Sequence, residues 1–144
     1  MKSLVVAVKA AVIDGLALVV DSSTECTYGY QFGTQAAERV YTGRSGGETP
    51  AAAMRAGRNY RNESGTFDLN ILVEAPGGGV QDAEERVDEI GVTVEEWIAD
   101  RKSDELGIGL TSLRVARWSA DYFPSDSGIT AVRTYTVAWT ARLT

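Results

Sequence analysis

The sequence predicts an α+β fold, a mostly antiparallel mixed sheet of four to five strands with two helices packed on one face. The first observation behind this prediction is that apolar residues recur at helical spacing in two stretches, one at the amino terminus and one beginning near residue 80. The second is that several other stretches alternate polar and apolar residues with the period of two that is typical of half-buried strands. The elements follow one another as helix, strand, possible short strand, strand, helix, strand, strand.

All 144 residues are expected to form a single domain, 1–144. A chain of this length buries roughly two-thirds of the surface that it exposes when unfolded, which is enough for one hydrophobic core. Its three prolines, Pro50, Pro76 and Pro124, each lie in a loop-like string. Because the sequence contains no internal repeat and no second compositional regime, these strings are interpreted as loops within the domain.

The first helix is predicted from about Lys2 to Leu18, where apolar residues recur at helical spacing. Gly15 is a weak point inside it, because glycine lowers helix stability. Lys9 and Asp14 interrupt the apolar run, so the segment is interpreted as part of the folded domain and not as a signal peptide or a membrane span. No membrane partner is expected.

Two strands and a loop are predicted next. The string "TECTYGYQF" places Cys26 and three aromatic residues on one face of a strand, and "ERVYTG" offers a shorter partner strand. The glycine-rich string "GRSGGETP" breaks the alternation. It is predicted to be a mobile loop that becomes ordered only in a larger assembly.

A central strand follows a cluster of basic residues. The cluster has no intervening acid and consists of Arg55, Arg58 and Arg61. The string "GTFDLNILVEA" then alternates, so that Phe67, Leu69, Ile71 and Val73 point toward the core. This strand is predicted to lie in the middle of the sheet.

The best helical pattern in the chain follows "PGGG", and this helix should end near Ser103. Asp82 and Glu85 have the spacing of a capping box. Ten acids and three bases lie between Val80 and Glu105, so the outward face of the helix is strongly negative. That face is interpreted as solvated surface, as a docking face for a protein partner, or as a source of paired carboxylates for a metal ion or for acid–base chemistry.

The last two strands are predicted to form a hairpin across the "FPSDSG" loop. In the first of them the apolar phase switches between Val115 and Ala116, as a β-bulge would produce. The second, "VRTYTVAWTARLT", alternates so that Tyr135, Val137 and Trp139 face the core while threonines face the other way. The hairpin is therefore interpreted as half core and half wetter surface.

The composition excludes several kinds of chemistry. The chain has no histidine, which removes the usual general base near neutral pH, the serine-histidine triads and the commonest zinc ligand. Cys26 is the single cysteine, so no intramolecular disulfide forms, and we expect an inert core residue. The glycine-rich strings contain neither a P-loop nor a dinucleotide fingerprint. No catalytic residue, cofactor site or metal site is predicted, and the chain is not expected to be an enzyme.

The acidic charge bears on the choice of partner. A net charge of −6 and a pI of about 4.7 disfavour general attraction to nucleic acid. The arginine cluster could contact nucleic acid, but it also matches the acidic helix of a neighbouring copy, and we favour the protein partner. Four tyrosines could line a ligand pocket or an interface, or be ordinary sheet residues: Tyr28, Tyr30, Tyr60 and Tyr122.

Several of these strings together resemble one protein family. They are "MRAGRNYRNESGTFDLNILVEAPGGGVQDAEERVDEIGVTVEEWI" and the closing "TAVRTYTVAWTARL", preceded by an apolar helix and a glycine-rich loop. The chain is similar to the tail terminator proteins of long-tailed (siphovirus) bacteriophages, in particular those of actinobacterial phages. The similar features are an Arg/Glu-bearing approach to a long strand, a short turn, an acidic amphipathic helix and an alternating final strand. The resemblance spans nearly the whole chain.

The resemblance implies a structural role at the tail–neck junction of a virion that is assembled in the host cytoplasm. Subunits of this family form a hexameric ring that caps the tail tube, stops its growth and presents a surface to the head-completion proteins. The implied partners are copies of the chain, the tail tube protein and a head-completion or connector protein, while genomic DNA only passes through the ring lumen. The nearest alternative is a head–tail connector or tail-completion protein. An alternative of a different class is a small α+β enzyme or ligand-binding module.

The resemblance transfers no residue-level site, so the candidate contacts come from charge and pattern. We expect the segment from Arg55 to Arg61 and the terminal hairpin to contribute to contacts between subunits or with the tube. The candidate interface residues are Arg55, Arg58, Arg61, Glu85, Glu89, Glu96, Arg133 and Arg142.

Overall fold

A computed structural model of the chain describes residues 3–31, 36–48, 61–103, 105–125 and 128–143. In chain order the elements are α1 (Val5–Ala17), β1 (Thr24–Thr27), β2 (Glu38–Glu48), β3 (Arg61–Pro76), α2 (Val80–Ala99), β4 (Leu110–Ser125) and β5 (Gly128–Leu143). This order is the predicted one. The last three strands each have 16 residues, nearly three times the usual strand length.

The strands form one five-stranded sheet in the order β1-β2-β3-β5-β4. β1 runs parallel to β2, and every other neighbouring pair is antiparallel. β3 and β5 pair along their whole length and occupy the middle, whereas β1 and β4 form the two edges. The predicted fold class, a mostly antiparallel mixed sheet with two helices, is confirmed.

Both helices cover the same face of the sheet. α1 packs against β1, β2 and β3, and α2 packs against β3, β4 and β5. The hydrophobic core between the two layers includes Val12 and Leu16 from α1, Trp97 from α2, and Phe67 and Val137 from the central strands. Because both helices contribute to this cluster, the two halves of the sheet share one core.

The opposite face of the sheet carries no helix and is rich in hydroxyl groups. Residues that face each other in an antiparallel pair lie on the same side, and Thr136 faces Asp68 while Thr134 faces Asn70. The Thr134 hydroxyl donates a hydrogen bond to Asn70 Oδ1 at 2.7 Å. The threonine side of the hairpin therefore points away from the core, as the alternation predicts.

The glycine-rich string predicted as a mobile loop is largely part of a strand. β2 continues to Glu48, and Ser45, Gly46 and Gly47 are paired with β3 after a register shift that begins at Thr42. The prediction is wrong because glycine has no side chain to show an alternating pattern, whereas its backbone groups pair like those of other residues. The last two residues of that string lie outside the described residues.

The first strand is shorter than predicted. β1 ends at Thr27, and Gly29 follows with a φ of 81°, a left-handed conformation that does not continue a strand. Tyr28 and Tyr30 lie beyond the strand and expose 43% and 45% of their surface. Phe32, predicted on the same strand face, lies outside the described residues.

The predicted capping box of α2 is wrong. Gly79 is the N-cap residue, and no side chain caps the helix. Asp82 lies inside the first turn instead, where its negative charge interacts favourably with the positive end of the helix dipole. The helix ends at Ala99 and not near Ser103.

The terminal hairpin is confirmed, including its bulge. β4 and β5 pair antiparallel, and the register shifts between Val115 and Arg117, where the sequence predicts the change of phase. Tyr135, Val137 and Trp139 are buried on the helix-covered face, as predicted. Within the described ranges neither helix combines the length and the apolar character needed to cross a bilayer.

Candidate assembly surfaces

The outer part of β4 exposes three large aromatic side chains. β4 forms one edge of the sheet, and every residue from 116 to 124 is exposed. Trp118, Tyr122 and Phe123 expose 60%, 47% and 52% of their surface, and we call these three residues the aromatic edge. Trp118 faces Tyr135 and therefore lies on the helix side, whereas Phe123 faces Thr130 on the other side. An open strand edge with large aromatic residues is typical of a surface that is buried in an assembly.

Arg133 connects the aromatic edge to α2. Its Nη2 lies 2.6 Å from Asp88 Oδ1, and its Nη1 donates to the Tyr135 hydroxyl at 3.5 Å. Its guanidinium carbon lies 5.1 Å from the centre of the Trp118 ring, a cation–π distance. The Arg133 side chain is only 16% exposed. This predicted interface residue thus lies behind the aromatic edge and contacts one of its members.

Arg86 of α2 binds carboxylates from three parts of the chain. Its Nε and Nη2 lie 2.7 and 2.8 Å from the two oxygens of Glu38, a bidentate pair that joins α2 to β2. The same Nη2 donates to Asp21 at 2.7 Å, and Nη1 donates to Glu89 at 2.9 Å. We call these four residues the Arg86 cluster. The hydrogen bonds from Arg86 hold the pKa of Glu38 below its usual value of 4.5, although partial burial opposes this shift.

The outward face of α2 is negative, as predicted. Glu85 and Glu96, two predicted interface residues, are exposed on it, and Gln81 Nε2 donates to Glu85 at 2.8 Å. Glu89, a third, belongs to the Arg86 cluster and still leaves 68% of its side chain exposed. Glu85 and Glu96 are thus placed where solvent or a basic partner can reach them.

The two charges of α1 have different environments. Lys9 is buried, its Nζ donates to the Gly43 carbonyl at 2.8 Å, and it lies 5.1 Å from the centre of the Tyr28 ring. Asp14 is exposed. Since Lys9 points inward, Asp14 is the charged residue that α1 leaves on its outward side.

The outward side of α1 is otherwise apolar. We call it the alanine face, and it consists of Val6, Ala7, Ala10, Ala11, Asp14, Ala17 and Leu18. Val6 is 60% exposed and Leu18 is 87% exposed. A surface helix normally carries polar residues on its outward face, so this composition is unusual. The sequence analysis missed this surface, although alanines at helical spacing on the side opposite Val8 and Val12 were its signal.

The other predicted interface residues do not converge on one site. Arg142 is exposed on the helix-free face, whereas Arg133, on the same strand, lies on the helix side. Arg61 is the first residue of β3. Arg55 and Arg58 lie outside the described residues.

An open trough of about 500 Å³ lies where β2, β3, β4 and β5 meet on the helix-free face. Its lining is Gly46, Gly47, Ser64, Gly65, Thr66, Ser112, Arg114, Ala138, Trp139 and Thr140. The Ser112 and Thr140 hydroxyls are 2.6 Å apart, and Arg114 is the charged residue of this lining. Trp139 is the one large apolar residue of this lining, so the open trough lacks the mostly apolar walls that are typical of small-molecule sites.

The described residues offer little reactive chemistry. Burial, and secondarily the charge of Glu25, raise the pKa of the Cys26 thiol to about 11, so it is a poor nucleophile near neutral pH. In the parts of the chain that the structure describes, no group of three or more acidic or cysteine side chains could hold a metal ion. The surfaces described above are thus better candidates for function than a catalytic centre.

Comparison with solved structures finds a similar fold in a virion. One chain of the virion of a native gene transfer agent (GTA) particle superposes with a TM-score of 0.64 and 17% sequence identity. The alignment covers 98% of this chain and 99% of that chain. At this identity the similarity shows a shared fold over the full length of both chains. No family model and no curated protein matches the sequence.

Proposed function

We propose that the chain is a structural virion protein, a tail terminator that forms a ring on the end of a phage tail tube and joins the tube to the head-completion (neck) proteins. The observation that carries the proposal is the full-length similarity in fold to a chain of the gene transfer agent virion. Agreement over 98% and 99% of the two chains means that the whole domain is alike, and not one common motif. The sequence resemblance to tail terminators supports the same class of particle.

In this proposal six copies form a ring at the tail–neck junction, and the virion is assembled in the host cytoplasm. The tube protein binds one side of the ring and a connector protein binds the other, while genomic DNA passes through the lumen. The net charge of −6 agrees with a ring through which DNA passes without being bound, since an acidic chain does not in general attract phosphate backbones. The protein acts by binding and not by catalysis.

The surfaces of the subunit support a role in assembly. The aromatic edge and the alanine face each expose apolar groups that a monomeric protein normally buries. Heterologous contacts between identical subunits close into a ring when the rotation between them permits it. A subunit with two different exposed apolar surfaces has what such a ring requires.

The arginine cluster remains a predicted contact. Arg58→Glu should weaken ring formation without unfolding the monomer, because it reverses the charge that a neighbour's acidic helix would meet. Sedimentation of the variant measures the ring, and circular dichroism measures the fold. Assembly that equals wild type would contradict this contact.

Electron microscopy of tails assembled without the protein tests the function. Loss of a terminator gives overlong tubes, because nothing stops polymerisation. Loss of a head–tail connector or tail-completion protein instead gives tails of normal length that lack heads. Tails of normal length with heads attached would contradict both roles.

The alternative of a small enzyme or ligand-binding module predicts a different result. A ligand or metal ion that binds only the native state stabilises it by an amount that grows with the logarithm of the free ligand concentration above the dissociation constant. We expect no rise in melting temperature with Mg²⁺, Ca²⁺ or Zn²⁺ at millimolar concentration. A rise that continues with the logarithm of the metal concentration would favour a binding site among the acids of α2.

A further inference from the structure

Most of the exposed large apolar side chains lie toward the two ends of the strand order. Nine large apolar or aromatic side chains are exposed among the described residues. Five belong to α1, the turn that follows it or the segment after β1: Val6, Leu18, Val19, Tyr28 and Tyr30. Three form the aromatic edge, and the ninth is Val92 of α2. Val6 and Leu18 of the first group belong to the alanine face, and together with the aromatic edge they are candidates for burial against another protein.

The two surfaces lie on opposite sides of the subunit. α1 packs against β1, β2 and β3, whereas the aromatic edge belongs to β4, the last strand in the order β1-β2-β3-β5-β4. One copy therefore cannot bring its own surfaces together. Two copies can, and each would then use a different surface, which is a heterologous contact.

The two surfaces differ in side-chain size and in the sign of their exposed charges. The alanine face is built mainly of small side chains, so large aromatic groups can approach the helix closely. Arg114 and Arg117 outnumber Asp121 among the exposed charged residues of 114–124, and Asp14 is the charged residue of the alanine face. Opposite charges at the rim of a contact favour the matched orientation and disfavour self-pairing of either surface.

We infer that the alanine face of α1 in one copy receives the aromatic edge of β4 from the next copy, so that identical head-to-tail contacts close the ring. The partner of this surface is a second copy of the chain. The inference rests on the proposed function, because it identifies the contact by which the proposed ring forms. Trp118, held from behind by Arg133, is the central anchor of the contact.

Cross-linking between two single-cysteine variants tests the inference. Cys26→Ala removes the native thiol, and Ala17→Cys or Ala120→Cys then adds one exposed thiol in the alanine face or between Trp118 and Tyr122 of the aromatic edge. With a short bismaleimide, a mixture of the two variants should give a covalent dimer that neither variant gives alone. A chain carrying both cysteines should give a series of covalent oligomers, the largest of which has the number of subunits in the ring.

Every other result of that experiment contradicts the inference. A dimer from Ala120→Cys alone, or from Ala17→Cys alone, would show that like surfaces pair. Failure of the mixture to cross-link at millimolar protein, with both thiols fully labelled by a monofunctional maleimide, would show that the two surfaces do not meet. A mass of one chain at every concentration would contradict self-association through them.

Variants of the aromatic edge give a second readout. Trp118→Ala should raise the dissociation constant between copies about tenfold or more, as expected for a central aromatic anchor. Arg117→Glu should raise it roughly twofold to fivefold at low salt, the range of an exposed ion pair. Val92→Ala is the matched control, because Val92 is 50% exposed on α2 outside both surfaces, and it should leave association unchanged. Equal effects of Trp118→Ala and Val92→Ala would contradict the contact.

Failure of this contact and failure of the proposed function give different results. Overlong tails in the absence of the protein, with no cross-link between the two surfaces, would support the proposed terminator function and contradict this contact. Cross-linked rings, together with tails of normal length in the absence of the protein, would support the contact and contradict a role in tube termination.

Discussion

Gly15 of α1 lies directly against the indole of Trp97 of α2. A methyl group at Gly15 would overlap Cζ2 of the Trp97 ring and would lie 2.8 Å from Cη2 and 2.9 Å from Cε2. Trp97 also contacts Arg101, whose guanidinium carbon lies 4.4 Å from the ring centre and whose Nε donates to the Trp97 carbonyl. The glycine that weakens α1 as an isolated helix is thus the residue that lets the two helices approach each other.

Gly15→Ala should therefore destabilise the protein, although alanine favours helix. Overpacking costs about 1–3 kcal/mol, against about 1 kcal/mol that alanine gains in helix propensity. We expect a net loss of up to about 2 kcal/mol in the free energy of unfolding, measured in urea. Trp97→Phe removes the benzo ring that the new methyl group meets, so the double variant should lose less than the sum of the single variants. A stabilised Gly15→Ala protein would contradict this packing.

Gly65 of β3 and Gly46 of β2 give a matched comparison within the sheet. A methyl group at Gly65 of β3 would lie 2.7 Å from the Gly46 carbonyl oxygen and 2.8 Å from Cζ2 of Trp139. At Gly46 of β2 a methyl group meets nothing within 4 Å. We expect Gly65→Ala to lower the free energy of unfolding by about 1–3 kcal/mol.

Gly46→Ala is the control, and it should be neutral or stabilise by up to about 1 kcal/mol, since alanine loses less backbone entropy than glycine in a strand. Equilibrium unfolding in urea compares the two variants. Equal losses would contradict the close approach of β2 and β3 at Gly65.

The pattern of apolar side chains predicted the parts of the fold in which side chains carry the signal. The alternation in the closing strand predicted the burial of Tyr135 and Trp139, and the phase switch after Val115 predicted the bulge. The strand character of Ser45–Glu48 was missed because three consecutive positions before Glu48 are serine and glycine, which show no apolar alternation. Its pairing depends on backbone groups of β3 that lie close only after folding.

The candidate site was predictable in kind but not in detail. The negative outward face of α2 follows from composition and helical spacing alone. The sequence could not show that Arg133 contacts Asp88 and Trp118, because these residues come from three different elements. Nor could it show that Lys9 points inward, which depends on the Gly43 carbonyl of the neighbouring sheet.

The pair formed by Glu38 and Arg86 should make stability depend on pH. Glu38→Gln should lower the free energy of unfolding at pH 7 by about 1–3 kcal/mol, the range for hydrogen bonds to charged groups. The pKa of Glu38 is lowered in the folded protein, so its contribution is present above the unfolded pKa and is lost as the pH falls through the folded value. The difference between wild type and Glu38→Gln should be constant between about pH 6 and 8, shrink below the usual value of 4.5, and vanish in stronger acid.

Urea unfolding of both proteins across this pH range measures the difference. Glu89→Gln is the matched control, because Glu89 binds the same arginine but leaves 68% of its side chain exposed, so its loss should be under about 1 kcal/mol. A difference between wild type and Glu38→Gln that does not change from neutral pH to strong acid would contradict the ionic nature of the pair.

Cys26 should be protected from thiol reagents in the native protein. Its pKa is raised from 9.0 to about 11, mainly by burial, and the thiolate is the species that reacts. At pH 8 this shift lowers the thiolate fraction, and with it the rate of alkylation by iodoacetamide, by roughly 100-fold. Mass spectrometry of timed samples measures the rate, and unfolding in urea should restore it. A thiol placed by Ala17→Cys on exposed α1 is the internal control, and equal native rates at the two positions would contradict the burial of Cys26.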